Sequence, residues 1–302
     1  MNVVFLGTSG SMPTDTRGSS SIAVKIGRSL VMFDCGEGTQ RQMVKVRVGF
    51  RREMKILISH MHGDHVLGLP GLFQTMSLLG REKRLDLYGP IGLIEYVKAF
   101  SETLGGPTFP VVIHELTGAG TIYTDEKINI KAIQSSHHIE SYSFGIFENP
   151  RPGRFHPEKA EALGVPRGRL WHNLQHGKCV NFDGRVVHPE QVVDTFRPGR
   201  RIVYSGDTRP FEEMVKFAYG ADLLIHEATF AEELSERAEE DGHSTTVQAA
   251  DIAKRANVSK LVLTHISSRY PDSTVLLREA KKVFKNVIVA EDLMELEVEL
   301  PT

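Results

Sequence analysis

Short runs of consecutive apolar residues, rich in β-branched side chains, recur along the chain and predict buried strands. Three of them open the chain, at residues 3–6, 21–26 and 30–34, and later runs are MKILIS, KINIKAI, RIVYSG, ADLLIHE, KLVLTH and NVIVAE. Between the runs, apolar residues recur about every 3.6 positions and predict helices at 91–103, 210–217, 246–256 and 273–284, with another beginning near Glu37. Strands without a polar side are typical of sheets covered on both faces. The pattern therefore predicts a layered α/β fold with sheets inside and helices outside.

One segment, residues 148–196, breaks this rhythm. It is rich in Pro, Gly, Arg and His and has little apolar periodicity. A stretch of this length inside a compact domain is more often a functional arm or lid than packing, although a surface insertion without a role is the alternative. We expect a single domain over residues 1–302, with residues 148–196 inserted as a flexible arm.

Composition and charge limit the possible partners. The 302 residues are 40 % hydrophobic, which is ample for a large core, and the formal net charge is −2. No global basic field indicates a nucleic-acid partner, so any such contact requires a local patch. Residues 148–185 offer one, with seven Lys/Arg against four Asp/Glu.

The sequence contains no apolar run long enough to cross a membrane, and its first residues, MNVVFLGT, are strand-like rather than leader-like. The two cysteines, Cys35 and Cys179, form no CxxC pair, which fits a reducing compartment and leaves metal binding to His and carboxylates. We expect a soluble, cytoplasmic protein with no membrane partner.

The strongest chemical signal is the motif SHMHGDH at residues 59–65, where the apolar run KILIS ends. Three imidazoles and a carboxylate within six residues are costly to bury without partners, and a strand-end turn lets them converge on metal. His60 and His62 lie on one side of extended chain and can share one ion. Asp64 and His65 are then placed to reach a second.

A catalytic zinc needs several protein ligands and an open position for water, so further ligands must come from elsewhere in the chain. Candidates follow other apolar runs: His137 or His138 after KINIKAIQ, Asp207 in YSGDTRP and His265 in LVLTHIS. Loops at strand ends build the sites of α/β sheets. The sequence therefore predicts a metal centre assembled from several strand ends.

These motifs together resemble the metallo-β-lactamase superfamily and, within it, the ribonuclease Z family of tRNA 3′-processing endonucleases. The matching pieces run through nearly the whole chain: FLGTSGSMP at 5–13, DCGEGTQRQM at 34–43, SHMHGDHVLGLPGL at 59–72, HHIESYSFGI at 137–146, YSGDTRP at 204–210, HEATF at 226–230, GHST at 242–245 and THISSRY at 264–270. The resemblance implies the four-layer αβ/βα metallo-β-lactamase fold with a protruding arm insertion.

The resemblance also implies a ligand set for two Zn²⁺ per subunit. One zinc would be held by His60, His62 and His137, the other by Asp64, His65 and His265, with Asp207 bridging them. His137 is preferred to His138 because the family pattern places the ligand seven residues before the aromatic found here as Phe144.

For catalysis, the resemblance implies that Asp64 also accepts the proton of the attacking water. Glu227 of HEATF would orient His243 of GHST, the acid that protonates the departing 3′ oxygen. The structural alternatives are a helix-capping carboxylate for Glu227 and an ordinary loop residue for His243. His226 is expected beside the ligands rather than among them, and Asp34 is expected either to orient a ligand histidine or to lie at a helix N-terminus.

The arm lies where many members of the family carry an element that grips the tRNA elbow. The partner implied is precursor tRNA, and the usual assembly of the family is a homodimer in which one subunit's arm holds the tRNA that the other cuts. Five basic residues are candidates for RNA contact as a group: Arg151, Arg154, Arg167, Arg169 and Lys178.

One loop departs from the family. Many bacterial members have PxKxRN after the first strand, a motif associated with the handling of 3′-terminal CCA. This chain has PTDTRG at residues 13–18, which keeps Pro and Arg but replaces Lys with Asp and Asn with Gly. The resemblance therefore does not extend to the rejection of CCA-ended tRNA.

Two other function classes compete with a zinc-dependent endoribonuclease that removes the 3′ trailer of precursor tRNA. The same fold carries hydrolases of small phosphodiesters, lactones or thioesters, and HxHxDH alone does not exclude them. A non-catalytic RNA-binding protein is the other alternative. The arm and the HEATF/GHST pair disfavour the first, and the complete ligand set disfavours the second.

Overall fold

The computed structural model describes residues 1–301. Its strands are β1 (Asn2–Gly7), β2 (Ser9–Gly10), β3 (Ser21–Ile26), β4 (Ser29–Phe33), β5 (Glu53–Leu57), β6 (Leu85–Gly89), β7 (Val111–Glu115), β8 (Gly120–Thr124), β9 (Ile128–Gln134), β10 (Tyr142–Glu148), β11 (Val180–Phe182), β12 (Arg185–Val187), β13 (Arg201–Tyr204), β14 (Leu223–Glu227), β15 (Leu261–Thr264), β16 (Ile266–Ser267), β17 (Val287–Val289) and β18 (Glu295–Glu297).

Its α-helices are α1 (Thr39–Lys45), α2 (Gly63–Val66), α3 (Gly68–Leu78), α4 (Leu93–Leu104), α5 (Pro157–Ala162), α6 (Arg169–Gln175), α7 (Glu212–Phe217), α8 (Ser235–Asp241), α9 (Thr246–Arg255) and α10 (Thr274–Val283). Two short 3₁₀ turns lie at Pro189–Gln191 and Glu232–Leu234.

The strands form two seven-stranded mixed sheets, in the orders β18-β1-β3-β4-β5-β6-β7 and β17-β15-β14-β13-β10-β9-β8. The inner faces pack against each other through a core that includes Phe33, Phe144 and Tyr204. Apolar faces of α1, α3 and α4 cover the outside of the first sheet. Helices α7, α9 and α10 cover the outside of the second. This order of layers, helix, sheet, sheet and helix, confirms the predicted αβ/βα fold.

The predicted elements and the observed ones agree closely. The run at 21–26 is β3 without any shift, and the four predicted helices correspond to α4, α7, α9 and α10 with end shifts of one or two residues. Helix α1 begins at Thr39 because Gly38 takes a left-handed conformation, with φ of 82°, immediately before it.

The inserted segment leaves the second sheet at the end of β10 and returns at the start of β13. Two antiparallel bridges, between Arg151 and Arg197 and between Phe155 and Val193, join its two ends into a neck. Beyond the neck, α5, α6 and the β11–β12 hairpin enclose a small core of their own, made of Ala160, Val165, Leu174, Val180, Val187 and Val192. The arm is therefore a small folded module attached to the sheet.

Across residues 1–301, no helix combines the length and the apolar character that crossing a membrane requires.

Candidate active site

The chemistry-bearing residues meet at one edge of the β-sandwich because the strands that carry them end there. Strands β4 and β5 are parallel in the first sheet, and β13, β14 and β15 are parallel in the second. Their carboxyl ends deliver Asp34, the motif at 59–65, Asp207, Glu227 and His265. Strand β9, antiparallel to β10, ends at the same edge just before His137.

One group of donors contains His60, His62, His137 and Asp207, whose ligand atoms all lie within 4.8 Å of one another. His60 Nε2 lies 3.0 Å from His62 Nδ1, and His137 Nε2 lies 3.5 Å from the same His62 nitrogen. A neutral imidazole carries only one N–H, so three ring nitrogens facing one point are better suited to binding a cation than to binding each other.

A second group contains Asp64, His65 and His265, again within 4.8 Å of one another. Asp64 Oδ2 lies 3.4 Å from His65 Nε2 and 3.3 Å from His265 Nε2. The side chains of His65 and His265 are at most 1 % exposed, whereas that of Asp64 is 11 % exposed. Asp64 is therefore the member of this group that reaches solvent.

Asp207 lies between the two groups. Its Oδ2 is 3.5 Å from His60 Nε2, 3.4 Å from His65 Nε2 and 3.3 Å from His265 Nε2. The structure thus brings together all seven residues that the sequence suggested as ligands, with Asp207 in contact with both groups.

The donors fit a divalent cation. Two buried polar atoms at the centre, His65 Nε2 and Asp207 Oδ1, have no hydrogen-bond partner within the described chain, and leaving a buried polar atom unpaired costs about 1–3 kcal/mol. A bound cation would satisfy both. Imidazole nitrogens with carboxylate oxygens are also the donor set that zinc uses in hydrolases.

Burial prepares the first group for metal binding. It lowers the pKa of His60 well below its ordinary value, and it also lowers the pKa of His62 and of His137. These imidazoles are therefore neutral at pH 7, which is the form that ligates metal. Burial opposes ionisation of Asp64, but His65 and His265 outweigh it and hold the pKa of Asp64 below its ordinary range.

Asp34 orients one of the ligand histidines. Its fully buried carboxylate accepts hydrogen bonds from Ser59 N (2.7 Å), Ser59 Oγ (2.9 Å) and Tyr204 Oη (2.6 Å), and it contacts His65 Nδ1 at 2.8 Å. With Nδ1 held by a carboxylate, His65 presents Nε2 to the metal centre. Because α1 begins at Thr39, Asp34 is not a helix N-terminal residue.

Two other ligands have comparable supports that the sequence did not indicate. Thr229 Oγ1 lies 2.9 Å from His265 Nδ1, and the carbonyl oxygen of Gly242 accepts from His137 Nδ1 at 2.8 Å. Gly242 has φ of 78°, and a Cβ atom there would lie 2.8 Å from His137 Nδ1. Only glycine allows both this conformation and this approach.

Glu227 and His243 form a buried pair next to the donor groups, where a ring nitrogen of His243 also lies within 4.8 Å of ligand atoms of Asp207 and His265. Glu227 Oε1 accepts from His243 Nδ1 at 2.9 Å and from the amides of Thr208 and Ser244, while Oε2 accepts from Thr229 N and Oγ1. These donors fix the carboxylate, which in turn fixes the imidazole. Glu227 ends a strand rather than capping a helix, and His243 lies in the loop between α8 and α9 with a buried anionic partner.

The pair also sets the protonation of His243. Burial opposes the charge on the ring, but the adjacent Glu227 carboxylate outweighs burial and raises the pKa of His243 to about 9. Since Nδ1 is bound to Glu227, the proton available for transfer is on Nε2. His243 lines a cavity of about 350 Å³ at the protein surface, whose walls include Phe230, Arg237 and Arg269.

The two neighbouring histidines point elsewhere. His138 Nε2 contacts the Glu240 carbonyl oxygen at 2.6 Å and lies outside both donor groups. His226 is fully buried, and its Nδ1 contacts the Glu227 carbonyl oxygen at 2.7 Å. The geometry therefore favours His137 over His138 and leaves His226 outside the donor groups, with a hydrogen bond to the backbone of Glu227.

The five basic candidates in the arm differ in what surrounds them. Arg151 belongs to the neck, where its Nε and Nη2 atoms are buried. Arg167 pairs with Glu161 and lies over the ring of Trp171, at 5.4 Å. The remaining three are exposed on the module: Arg154, Arg169 and Lys178. Arg151 thus joins the neck through its backbone, its two buried side-chain nitrogens having no hydrogen-bond partner within residues 1–301, and the other three are open to a ligand.

Comparisons with known proteins agree with this geometry. Residues 191–266 match the family model of the beta-lactamase superfamily domain, and residues 1–151 match the model described as Anti-Pycsar protein Apyc1. A protein named Ribonuclease Z from Methanosarcina acetivorans is 49 % identical over 300 residues, covering 99 % of this chain and 98 % of the relative. A protein of the same name from Methanosarcina mazei is 47 % identical over 303 residues and also covers 99 % of this chain and 98 % of the relative.

A solved structure supports the same assignment. The short form of human tRNase Z superposes with a TM-score of 0.74 at 30 % sequence identity, over 99 % of this chain and 100 % of the human one. Because the similarity spans both sheets, the arm and the candidate site, the chain belongs to the ribonuclease Z family of the beta-lactamase superfamily.

Proposed function

We propose that this chain is a zinc-dependent endoribonuclease that removes the 3′ trailer from precursor tRNA and leaves a 3′-hydroxyl on the tRNA. The observation that carries the proposal is the juxtaposition of two donor groups sharing Asp207 with the buried Glu227–His243 pair, in a chain whose full-length relatives are named Ribonuclease Z. A phosphodiesterase needs both parts, one for the attacking water and the phosphate and one for the departing oxygen.

We assign two zinc ions per subunit to the donor groups. His60, His62 and His137 would hold one, Asp64, His65 and His265 the other, and Asp207 both. When bound, the ions supply positive charge to the scissile phosphate and make a shared water more acidic.

Asp64 is suited to take the proton from the attacking water. It is the partly exposed member of its group, and Ser11 N donates to its Oδ2 at 2.8 Å. The histidines beside it keep the carboxylate ionised at neutral pH, which is the form that can accept a proton, and at the same time lower its basicity.

His243 is suited to protonate the leaving group. Attack of water on phosphorus breaks the bond to the 3′ oxygen of the tRNA, and that oxygen needs a proton as its charge develops. His243 Nε2 supplies it from the wall of the cavity, while Glu227 holds the ring and stabilises its cationic form. The products are a tRNA 3′-hydroxyl and a trailer with a 5′-phosphate.

The arm is suited to hold the body of the tRNA. Its three exposed basic side chains, Arg154, Arg169 and Lys178, can contact phosphates without reading sequence. Its own core keeps them in a fixed arrangement.

We also propose a homodimer, because the arm starts far from the donor groups of its own subunit. At one end of β10, Tyr142 N donates to Ser59 O at 2.9 Å, which fixes this end of the strand beside the donor groups. At the other end, Glu148 pairs with Arg200 at the root of the arm, roughly 20 Å away since a strand rises about 3.3 Å per residue. An arm that starts at the opposite edge is suited to hold a tRNA that a second subunit cuts.

A hydrolase of small phosphodiesters or lactones is the alternative on the same fold. The arm disfavours it. Its root lies roughly 20 Å from the donor groups, so a small substrate bound there would not reach the folded basic module. We place the reaction in the cytoplasm, as the compartment in which we expect the proposed substrate.

The test is cleavage of a precursor tRNA with a 3′ trailer by the zinc-loaded protein, with an Asp64→Ala variant alongside and the cut mapped at nucleotide resolution. One zinc-dependent cut after the discriminator base, abolished in the variant, supports the proposal. An uncut tRNA, with hydrolysis of a small phosphodiester or a lactone instead, would refute the substrate assignment.

A further inference from the structure

The loop between β1 and β3, residues 8–20, lies directly on the second donor group. Ser11 N donates to Asp64 Oδ2 at 2.8 Å. Gly10 packs so closely on His265 that a Cβ atom there would lie 2.8 Å from the ring nitrogen Nδ1. Ser9 pairs with Ile266, the residue after His265. Two of the three donors of this group therefore depend on where the loop lies.

The loop does not hold this shape by its own preferences. Ser11 has φ of 58°, a left-handed conformation that residues other than glycine adopt rarely. Some contact outside residues 9–11 must therefore fix the loop.

Asp292 provides that contact from the C-terminal part of the chain. Its Oδ1 accepts from Thr8 Oγ1 at 2.8 Å, and its Oδ2 accepts from Gly18 N at 2.8 Å and from Gln42 Nε2 at 2.7 Å. Thr8 and Gly18 lie near the two ends of the loop, so one carboxylate joins these ends and ties both to α1.

Arg17 makes a second connection between the loop and the segment that contains Asp292. Its Nη1 donates to Thr8 Oγ1 at 2.7 Å and to the carbonyl oxygen of Ala290 at 2.6 Å. Arg17 is the arginine kept in the divergent PTDTRG stretch. In this chain it connects the loop to the segment that carries Asp292.

We propose that Asp292 is a positioning residue for the second donor group, which acts by closing the loop that holds Asp64 and His265. The proposal rests on the proposed function only in taking this group to bind zinc. Asp292 touches neither donor, so its effect passes through Gly10 and Ser11.

The informative substitution is Asp292→Asn, which keeps the size of the side chain. An amide offers one acceptor oxygen, and its NH₂ group must then face either Thr8 or the two N–H donors of Gly18 and Gln42. Facing Thr8, the NH₂ group can donate to Oγ1, and Ser9 N still donates to the carbonyl oxygen of Gly18 at 2.9 Å. The ends of the loop are then held more weakly, because the charged acceptor at position 292 has been lost. Substitution of residues that support metal ligands lowers metal affinity or activity about 10–100-fold.

A matched control is Asp125→Asn. Asp125 also accepts three hydrogen bonds in a turn, from Lys127 N, Ile128 N and Tyr123 Oη, but it lies in the β8–β9 hairpin, away from both donor groups. A merely structural role for Asp292 would give the two variants the same behaviour. Thr8→Val is the second variant: it removes the hydrogen bond from Thr8 to Asp292 and the one from Arg17 to Thr8, and it leaves the bonds from Gly18 and Gln42 to the intact Asp292 carboxylate.

The experiment compares these variants with the parent protein in three measurements. Amide hydrogen exchange reports the protection of residues 8–18, chelator competition reports the affinity for each zinc, and hydrolysis of bis-p-nitrophenyl phosphate reports turnover without tRNA. For Asp292→Asn we expect faster exchange in residues 8–18, affinity for one of the two zincs lowered about tenfold or more, and kcat lowered more than KM is raised. Thr8→Val should show the same changes, smaller in size, and Asp125→Asn should show none of them.

Unchanged exchange and zinc affinity in Asp292→Asn would overturn the proposal, as would equal changes in Asp125→Asn. None of these readouts uses tRNA, so failure of the parent protein to process tRNA would refute the proposed substrate and leave this test intact.

Discussion

The proposed role of His243 can be separated from a structural one by changing the leaving group. His243→Ala removes the protonated imidazole that the cavity wall presents beside the Glu227 carboxylate. Loss of a general acid typically lowers the rate about 10²–10⁴-fold, so we expect a decrease of that size in kcat on precursor tRNA. Binding of tRNA should change little, because His243 is a small part of the surface that contacts it.

The expected loss of kcat in Glu227→Gln follows from the negative charge that this substitution removes. The carboxylate raises the pKa of His243 from 6.5 to about 9, a shift equivalent to roughly 3–4 kcal/mol in favour of the cationic ring. With a neutral amide at position 227, burial still lowers that pKa and only Asp207 still raises it, so a smaller fraction of His243 is cationic at pH 7. We expect kcat to fall about 10–100-fold and its alkaline limit to move to lower pH.

The assay uses two precursor tRNAs, one normal and one with sulfur in place of the 3′ oxygen at the scissile bond. A thiolate leaves without a proton, so both variants should recover most of the missing rate on the sulfur substrate. If the variants remain equally slow on both substrates, His243 is not the acid and the pair has a structural role.

The same pair makes a prediction for zinc-free protein, where NMR titration can follow His243 directly. Its raised pKa stabilises the fold fully below pH 6.5 and less as pH rises through about 9. Glu227→Gln should move the midpoint of the His243 titration well below 9, because the larger of the two charges that raise this pKa is removed. A midpoint that stays near 9 would contradict the charge argument.

Three further predictions concern the metal centre and the arm. Asp207→Asn should lower the affinity for both zinc ions, because Asp207 contacts both donor groups. Metal analysis after dialysis should then find fewer than two ions per subunit, and retention of both ions would contradict the bridging role. Reversal of charge at Arg154, Arg169 and Lys178 should raise KM for precursor tRNA. The slope of log KM against log salt concentration should fall by about one for each phosphate that is no longer neutralised, and hydrolysis of a small phosphodiester should not change. Glu148→Gln should lower the free energy of unfolding by about 1–2 kcal/mol at pH 7, measured with denaturant, because the ion pair at the root of the arm is lost. Since Arg200 lowers the pKa of Glu148, the difference in stability between parent and variant should disappear as pH falls below about 4.5.

Much of the fold could be predicted from the sequence because its strands are covered on both faces. A strand such as β14, LLIHE, is apolar until its last two residues, so both its burial and its functional end are visible in the pattern. The ligand residues stood out for the same reason, as polar groups placed where an apolar run stops.

Contacts between distant segments could not be predicted in this way. The core of the arm joins Ala160, Val165 and Val192, which have no shared period along the chain, so the segment resembled a loop. The resemblance offered Asp34 as a residue that orients a ligand histidine, but its particular partners, His65 and Tyr204, follow from the way both sheets end at the same edge. The supports of the ligands depend on such pairings, and the sequence indicates them only after the topology is known.

Anomalous diffraction from crystals of the zinc-loaded protein tests the central claim most directly. The account predicts two zinc peaks per subunit, one among His60, His62 and His137 and the other among Asp64, His65 and His265, with the Asp207 carboxylate between them. A single peak, or a second zinc bound outside these donor groups, would contradict it.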